Sequence, residues 1–266
     1  MKLIESWKNS EFLASPDARI LRIISEYLEP AARFRKHNVH GTVLFWGSAR
    51  IKTQTEAKKL LDEAKKSKDA DKIRKAEKMV ELSRYNADAE KLAELLTDWS
   101  MKLGSGKPEF LVATGGGPGI MEAANKGAHK AKGRSLGLGV TLPFEAKLND
   151  YITPELQIQF HYFFMRKFWM VYLARALVAF PGGFGTFDEL FEVLTLIQTE
   201  KSRKHMPVIL YGSNYWNSVL NIDAMIEWGT ISAKDKKLYH VCDTPEQAFE
   251  ILTKALTEIY MSEHKK

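Results

Sequence analysis

The feature that most constrains this 266-residue chain is a pair of glycine-rich corners, each set between a short apolar run and a helix-like one. The first, Thr114-Gly115-Gly116-Gly117-Pro118-Gly119, follows the run Phe110–Ala113 and opens a predicted helix from about Pro118 to Lys132. The second, Pro181-Gly182-Gly183-Phe184-Gly185-Thr186, follows Ala176–Phe180 and opens a predicted helix over Thr186–Thr199. Glycine lets a backbone approach a ligand closely, and a helix N-terminus offers free N–H groups and partial positive charge. Such a corner can seat an anion or a ribose, although one corner alone is equally well a tight turn. Neither corner is a Walker A loop, because no Gly-Lys-Ser/Thr follows, and the spacing departs from the dinucleotide fingerprint.

Further apolar runs at Thr42–Phe45, Ser135–Leu142, Gln157–His161, Pro207–Tyr211 and Leu238–Val241 read as strands, with helices at Phe163–Ala174 and from Pro245 onward. This alternation predicts an α/β, Rossmann-like, doubly wound parallel sheet covered on both faces. Loops leaving the carboxyl edges of neighbouring strands can share one crevice, so two corners suit a nucleotide-sized ligand. Residues 1–40 read as an N-terminal helical extension, a lid or interface element. Its apolar face is Ile20, Ile23, Ile24, Tyr27 and Leu28, and Pro30 marks a break. Residues 41–266 read as one domain with a charged helical insertion at about 52–91, followed by a helix over Ala87–Met101 that leads through Gly104 and Gly106.

Composition narrows the partners. The net charge of +6 comes from 39 basic and 33 acidic residues, and the insertion mixes both signs, unlike a nucleic-acid-binding arm. Cys242 is the single cysteine, which excludes an intramolecular disulfide and a Cys-rich metal site and makes a reducing cytoplasm the expected setting. The polar N-terminal segment does not read as a secretory signal. The longest apolar stretch, Phe160–Phe180, is broken by His161, Arg166, Lys167 and Arg175, so a membrane span is not expected.

Two places carry candidate chemistry. The segment Phe163–Tyr172 is apolar on almost every side yet holds Arg166 and Lys167, and buried cations need a counter-charge. Adjacent helical residues diverge by about 100°, so the two need not share a partner. That partner is a structural ion pair, a bound phosphate or a catalytic carboxylate. Glu189 also has two readings. Thr186-Phe187-Asp188-Glu189 fits a capping box with Thr186 as N-cap, or Glu189 is a carboxylate available for chemistry.

Taken in order, the segments Thr114 to Ala123, Phe164-Met165-Arg166-Lys167 and Pro181 to Glu189 resemble the signature of LOG-type proteins. Every fixed position of that family's PGGxGTxxE motif is filled here, and the resemblance covers roughly residues 41–257. It implies a commonly dimeric hydrolase that cuts a cytokinin riboside monophosphate or AMP into free base and ribose 5-phosphate, with no metal or cofactor. It implies that Arg166 and Glu189 are catalytic, with Lys167 beside the substrate. By the same resemblance, Gly182, Gly183, Gly185 and Thr186 belong to the phosphate-binding segment, Asp188 is a further substrate-binding candidate, and Gly115, Gly116 and Gly117 lie near the ribose. Glu145 matches an acidic substrate contact, while Ser48 and Thr195 match further contacts.

Relatives often carry a lysine decarboxylase label, but nothing here resembles a pyridoxal-phosphate lysine site. The extension and the insertion make this chain longer than the plant-type members, and Ala146 to Asp150 departs from their pattern, so a base preference does not carry over. N-glycosidic cleavage passes through an oxocarbenium-like cation, which suits Glu189 as the stabilising carboxylate, held ionised by Arg166. Glu145 is a candidate for protonating the departing base. A catalytically silent nucleotide sensor would use the same loops, and turnover separates the two.

Overall fold

The computed structural model describes residues 3–103, 109–141, 147–202 and 206–263, with side chains as far as residue 259. The apolar runs become β1 (Gly41–Trp46), β2 (Phe110–Thr114), β3 (Ser135–Val140), β4 (Gln157–Phe160), β5 (Ala174–Ala179), β6 (Val208–Tyr211) and β7 (His240–Cys242). Among the described residues they form one parallel sheet in the order β4-β3-β2-β1-β5-β6-β7. The order reverses between β1 and β5. Loops leaving those two strands therefore diverge and open a crevice at the carboxyl edge, as the doubly wound reading expects.

Strands buried on both faces explain the near-continuous apolar runs. On β1, Leu44 and Trp46 join one core with Leu136, Leu138, Trp169 and Leu190, while Val43 and Phe45 join the other with Leu92, Ile120, Val178 and Tyr211. The first face is covered by α2 (Arg19–Lys36), which follows a short α1 (Ser10–Ala14), and by α6 (Phe163–Leu173) and α7 (Phe184–Gln198). The second is covered by α4 (Ala70–Leu103), α5 (Ile120–Lys130) and α10 (Pro245–Glu263). Two short helices, α8 (Ser213–Val219) and α9 (Ile222–Glu227), lie between β6 and β7.

The charged insertion is a helical hairpin. A capping box of Thr53 and Glu56 starts α3 (Gln54–Ser67), and Lys68 ends it in the left-handed region at φ 55°. Asp69 then accepts from the N–H groups of Asp71 and Lys72 at 3.0 and 3.1 Å and opens α4. The helix expected separately at Ala87–Met101 is the second half of α4, because no glycine or proline interrupts residues 70–103. Helices α4 and α5 approach so closely that a Cβ on Gly127 would lie 2.1 Å from the Glu90 carbonyl oxygen.

Pro30 does not break the N-terminal helix, contrary to the sequence expectation: α2 runs through it. A proline leaves the carbonyl four residues earlier without its helical donor. Here that carbonyl belongs to Glu26, and the Trp169 indole Nε1 donates to it at 2.9 Å. The extension is thus built into the core, with Phe34 only 3% exposed, and α2 packs on α6 rather than forming a lid over the crevice. Gly104, Gly106 and Leu142 lie outside the described residues. No helix among the described residues is long and apolar enough to cross a membrane.

Candidate functional site

The loops after β1, β2 and β5 are stitched together through the backbone of one residue. Ser48 N donates to the Pro181 carbonyl at 2.9 Å, and the Ser48 carbonyl accepts from Ile120 N at 3.3 Å. Gly119 sits at φ 70°, and a Cβ there would lie 2.5 Å from the Ser48 carbonyl oxygen, so this crossing requires glycine. Gly116, at φ 76°, turns the first corner. Its N–H donates to Thr114 Oγ1 at 2.9 Å, and its carbonyl accepts from Asn149 N at 2.8 Å. Asn149 also donates its side-chain amide to the carbonyls of Gly116 and Gly117 at 3.1 and 3.3 Å, which ties the 147–150 segment to the corner.

Between these loops lies a cleft of about 960 Å³, within the size range of small-molecule sites. Ser48 and Arg50 line it from the β1 loop, and Gly115, Gly117 and Met121 from the first corner. Gly182, Gly183, Gly185 and Thr186 line it from the second corner, with Arg166, Glu189, Gln159, Leu148 and Tyr215 closing the walls. The second corner becomes the start of α7, with Gly183 as its N-cap. The first ladder bond runs from Phe187 N to the Gly183 carbonyl at 3.1 Å. Helix geometry therefore leaves the N–H groups of Phe184, Gly185 and Thr186 without an acceptor in the helix. Tyr215 Oη donates to the Gly182 carbonyl and holds the corner from behind.

This start corrects the capping-box reading. Thr186 is inside α7 rather than its N-cap, so Glu189 falls in the second turn and faces α6. Arg166 Nη2 donates to Glu189 Oε1 at 2.6 Å, and the two side chains are only 13% and 10% exposed. Burial pushes the Glu189 carboxyl up to about 7, although Arg166 and Lys167 pull it down. The expectation that Arg166 holds Glu189 ionised meets an opposing effect, since desolvation outweighs the cation. A carboxyl poised near neutrality can exchange a proton with a water in the cleft.

Of the residues expected from sequence, the structure brings Ser48, Gly115, Gly117, Arg166, Gly182, Gly183, Gly185, Thr186 and Glu189 to this cleft. Gly116 shapes the turn without lining it. Lys167, Asp188 and Thr195 do not line it either; they stand on a shallower recess on the outer side of α6 and α7. Lys167 pairs there with Asp188 at 3.1 Å and Glu192 at 2.9 Å. The roughly 100° step along a helix accounts for the separation, since Arg166 and its neighbour point to different sides. Glu145 lies outside the described residues.

Sequence reasoning missed Arg50, Gln159 and Tyr215. Arg50 was signalled, because it follows Gly47-Ser48 directly after the strand at the switch point, whereas Gln159 and Tyr215 arrive by tertiary folding. No group of three or more His, Cys, Asp or Glu side chains suited to a metal occurs among the described residues.

The model of a family described as "Possible lysine decarboxylase" matches residues 121–252. The chain is 33% identical over 152 residues to the "Probable cytokinin riboside 5'-monophosphate phosphoribohydrolase LOG4" of Oryza sativa subsp. japonica, covering 56% of this chain and 62% of that protein. It is also 33% identical over 132 residues to the "Cytokinin riboside 5'-monophosphate phosphoribohydrolase LOG7" of Arabidopsis thaliana, covering 48% and 58%. The chain thus spans less than two thirds of the length of either relative. Among solved structures, the structural-genomics protein TM1055 superposes with a TM-score of 0.51 at 20% identity, over 80% of this chain and 99% of that one, a likeness of fold.

Proposed function

On the premise that the chain is LOG-type, as its motifs, family match and relatives agree, we propose that it is a phosphoribohydrolase. Its substrate is a purine nucleoside 5′-monophosphate, AMP or a cytokinin riboside monophosphate, and its products are free base and ribose 5-phosphate. The observation that carries this reading is the buried Glu189, paired with Arg166 and facing a nucleotide-sized cleft whose other wall is the N-terminus of α7.

The roles follow from the geometry. The 5′-phosphate takes the free N–H groups of Phe184, Gly185 and Thr186, where the helix dipole favours an anion. Arg50 supplies a cation on the same cleft. Anchored there, the ribose lies between the two glycine corners with its anomeric carbon towards Glu189, and the binding energy of the remote phosphate positions the reacting centre. As the bond from the anomeric carbon to the base nitrogen breaks, positive charge develops on the sugar, and ionised Glu189 stabilises it. Glu189 takes a proton from the attacking water, whose oxygen bonds to the anomeric carbon. The electron pair of the broken bond leaves with the base, which takes a proton from solvent water, while Glu189 returns its own to solvent. Arg166 holds the carboxylate in place throughout.

We also propose that two copies pair through an apolar patch on α2 and α6. Tyr27 meets Phe168 at 5.7 Å between ring centroids, Phe168 stacks on Tyr172 at 5.5 Å, and all three are exposed. Contiguous exposed aromatics of this kind mark contact surfaces. Light scattering at micromolar concentration should return twice the chain mass, and a monomer would refute the pairing.

The functional test is chromatography of free base after incubation with AMP, an N6-substituted AMP, adenosine and ATP. Base from a monophosphate but not from adenosine supports a phosphate-anchored hydrolase. Binding of monophosphates with no base released from any of them would make the chain a silent nucleotide sensor instead.

A further inference from the structure

We propose that Glu26, on the N-terminal helix α2, is a positioning residue for the arginine of the site: it grips the chain entering α6 and fixes where Arg166 stands. Only the activity arm of its test rests on the phosphoribohydrolase reading.

Helix α6 has no cap of its own, since its N-cap residue Tyr162 makes no side-chain capping bond. The Glu26 carboxylate instead grips the backbone at the entry to the helix from another element. Its Oε1 accepts from His161 N at 2.6 Å and its Oε2 from Tyr162 N at 3.2 Å. The negative charge thereby stands at the positive end of the α6 dipole, in charge-assisted bonds. Tyr162 is also where the α6 ladder reaches the site, because Arg166 N donates to the Tyr162 carbonyl at 3.2 Å. What holds the Tyr162 peptide therefore holds the backbone from which the guanidinium projects.

The other contacts of the same helix make the grip rigid. The Glu26 carbonyl, freed by Pro30, takes the Trp169 indole one turn beyond Arg166. Arg33 Nη1 donates to the Gln157 carbonyl at 2.6 Å and ties α2 to β4, the strand leading into α6. Arg166 itself depends on this support. Its Nε is buried without a hydrogen-bond partner, so the bond to Glu189 and the face of the Phe163 ring, 5.1 Å from Cζ, are what orient the guanidinium. The N-terminal helical extension thus becomes part of the active-site scaffold.

The test uses the full chain with Glu26→Ala and Glu26→Gln. The glutamine keeps one acceptor for the two N–H groups and should fall between alanine and wild type. In Glu26→Ala, kcat for base release should drop by about 10²-fold, the scale of a misplacement near 1 Å. Inhibition by ribose 5-phosphate, anchored on α7, should stay within about two-fold of wild type on the same reasoning. An activity-independent arm follows Glu189 by carbon NMR, assigned with Glu189→Gln. The groups acting on Glu189 are Arg166 and Lys167 from α6 and Asp188 and Glu192 from its own helix. If Arg166 retreats, the Glu189 midpoint should rise above its wild-type value.

Wild-type kcat and an unmoved Glu189 midpoint in Glu26→Ala would overturn the proposal. So would a parallel loss of ribose 5-phosphate binding, which would mean general collapse of the site. If Glu26→Ala does not fold, Glu26→Gln carries both readouts. If the wild-type protein releases no base, the phosphoribohydrolase reading fails, and the NMR midpoint still decides the role of Glu26.

Discussion

The carboxyl of Glu189, pushed by burial from 4.5 up to about 7, makes the stability of the whole chain depend on pH in a way that one substitution can isolate. Between those two values the folded chain keeps a proton that the unfolded chain has released. Unfolding free energy therefore falls as pH rises, by about 1.4 kcal/mol per pH unit. Across the whole interval the wild-type protein should lose about 3 kcal/mol through this group, with the loss complete above neutrality. Glu189→Gln keeps the shape and removes the titration. Its separate cost, the altered contact with Arg166, does not vary over this range, because the amide carries no titrating group. The deficit of the variant relative to wild type should thus be largest near pH 5 and shrink by about 3 kcal/mol by pH 8. Urea unfolding of both proteins at pH 5, 6, 7 and 8 reads this directly. A constant deficit, or one that grows with pH, would show that Arg166 outweighs burial and that Glu189 is already ionised at pH 5.

Other consequences are quicker to test. Gly182→Ala would place a Cβ 2.1 Å from Thr186 Oγ1, whereas a Cβ on Gly183 meets nothing within 4 Å. The first change should cost about 1–3 kcal/mol by calorimetry and weaken ribose 5-phosphate binding, while Gly183→Ala should stay within about 0.5 kcal/mol of wild type. Trp169→Phe removes the donor that replaces the missing Pro30 N–H and leaves the Glu26 carbonyl unpaired. It should cost about 1–3 kcal/mol in urea unfolding, and an unchanged midpoint would refute the compensation. The general-base role of Glu189 predicts that kcat/KM rises as pH passes through about 7, so a pH-independent profile between 5 and 9 would exclude it.

The sheet was legible because parallel strands buried on both sides read as unbroken apolar runs, and each glycine corner marked where a strand gave way to a helix. Motif spacing led to Arg166 and Glu189, but local pattern could not choose between a cap and a catalytic carboxylate. Gly183 removes the capping reading alone, since it starts α7 early enough to turn Glu189 towards α6. Pro30 misled for a related reason: its helical defect is repaired by Trp169, 143 positions from Glu26, and no local window contains both. Lys167, Asp188 and Thr195 share motif segments with cleft residues yet occupy another face, since adjacency along a helix is not adjacency in space.

The proposed role of Glu189, chemistry on a bound nucleotide, is decided by one paired measurement on Glu189→Gln: calorimetric AMP affinity beside the rate of adenine release. Affinity should stay close to wild type while turnover falls by about 10²-fold or more, the range for loss of a general base. Turnover unchanged in a folded variant would contradict it and return Glu189 to a purely structural partner of Arg166.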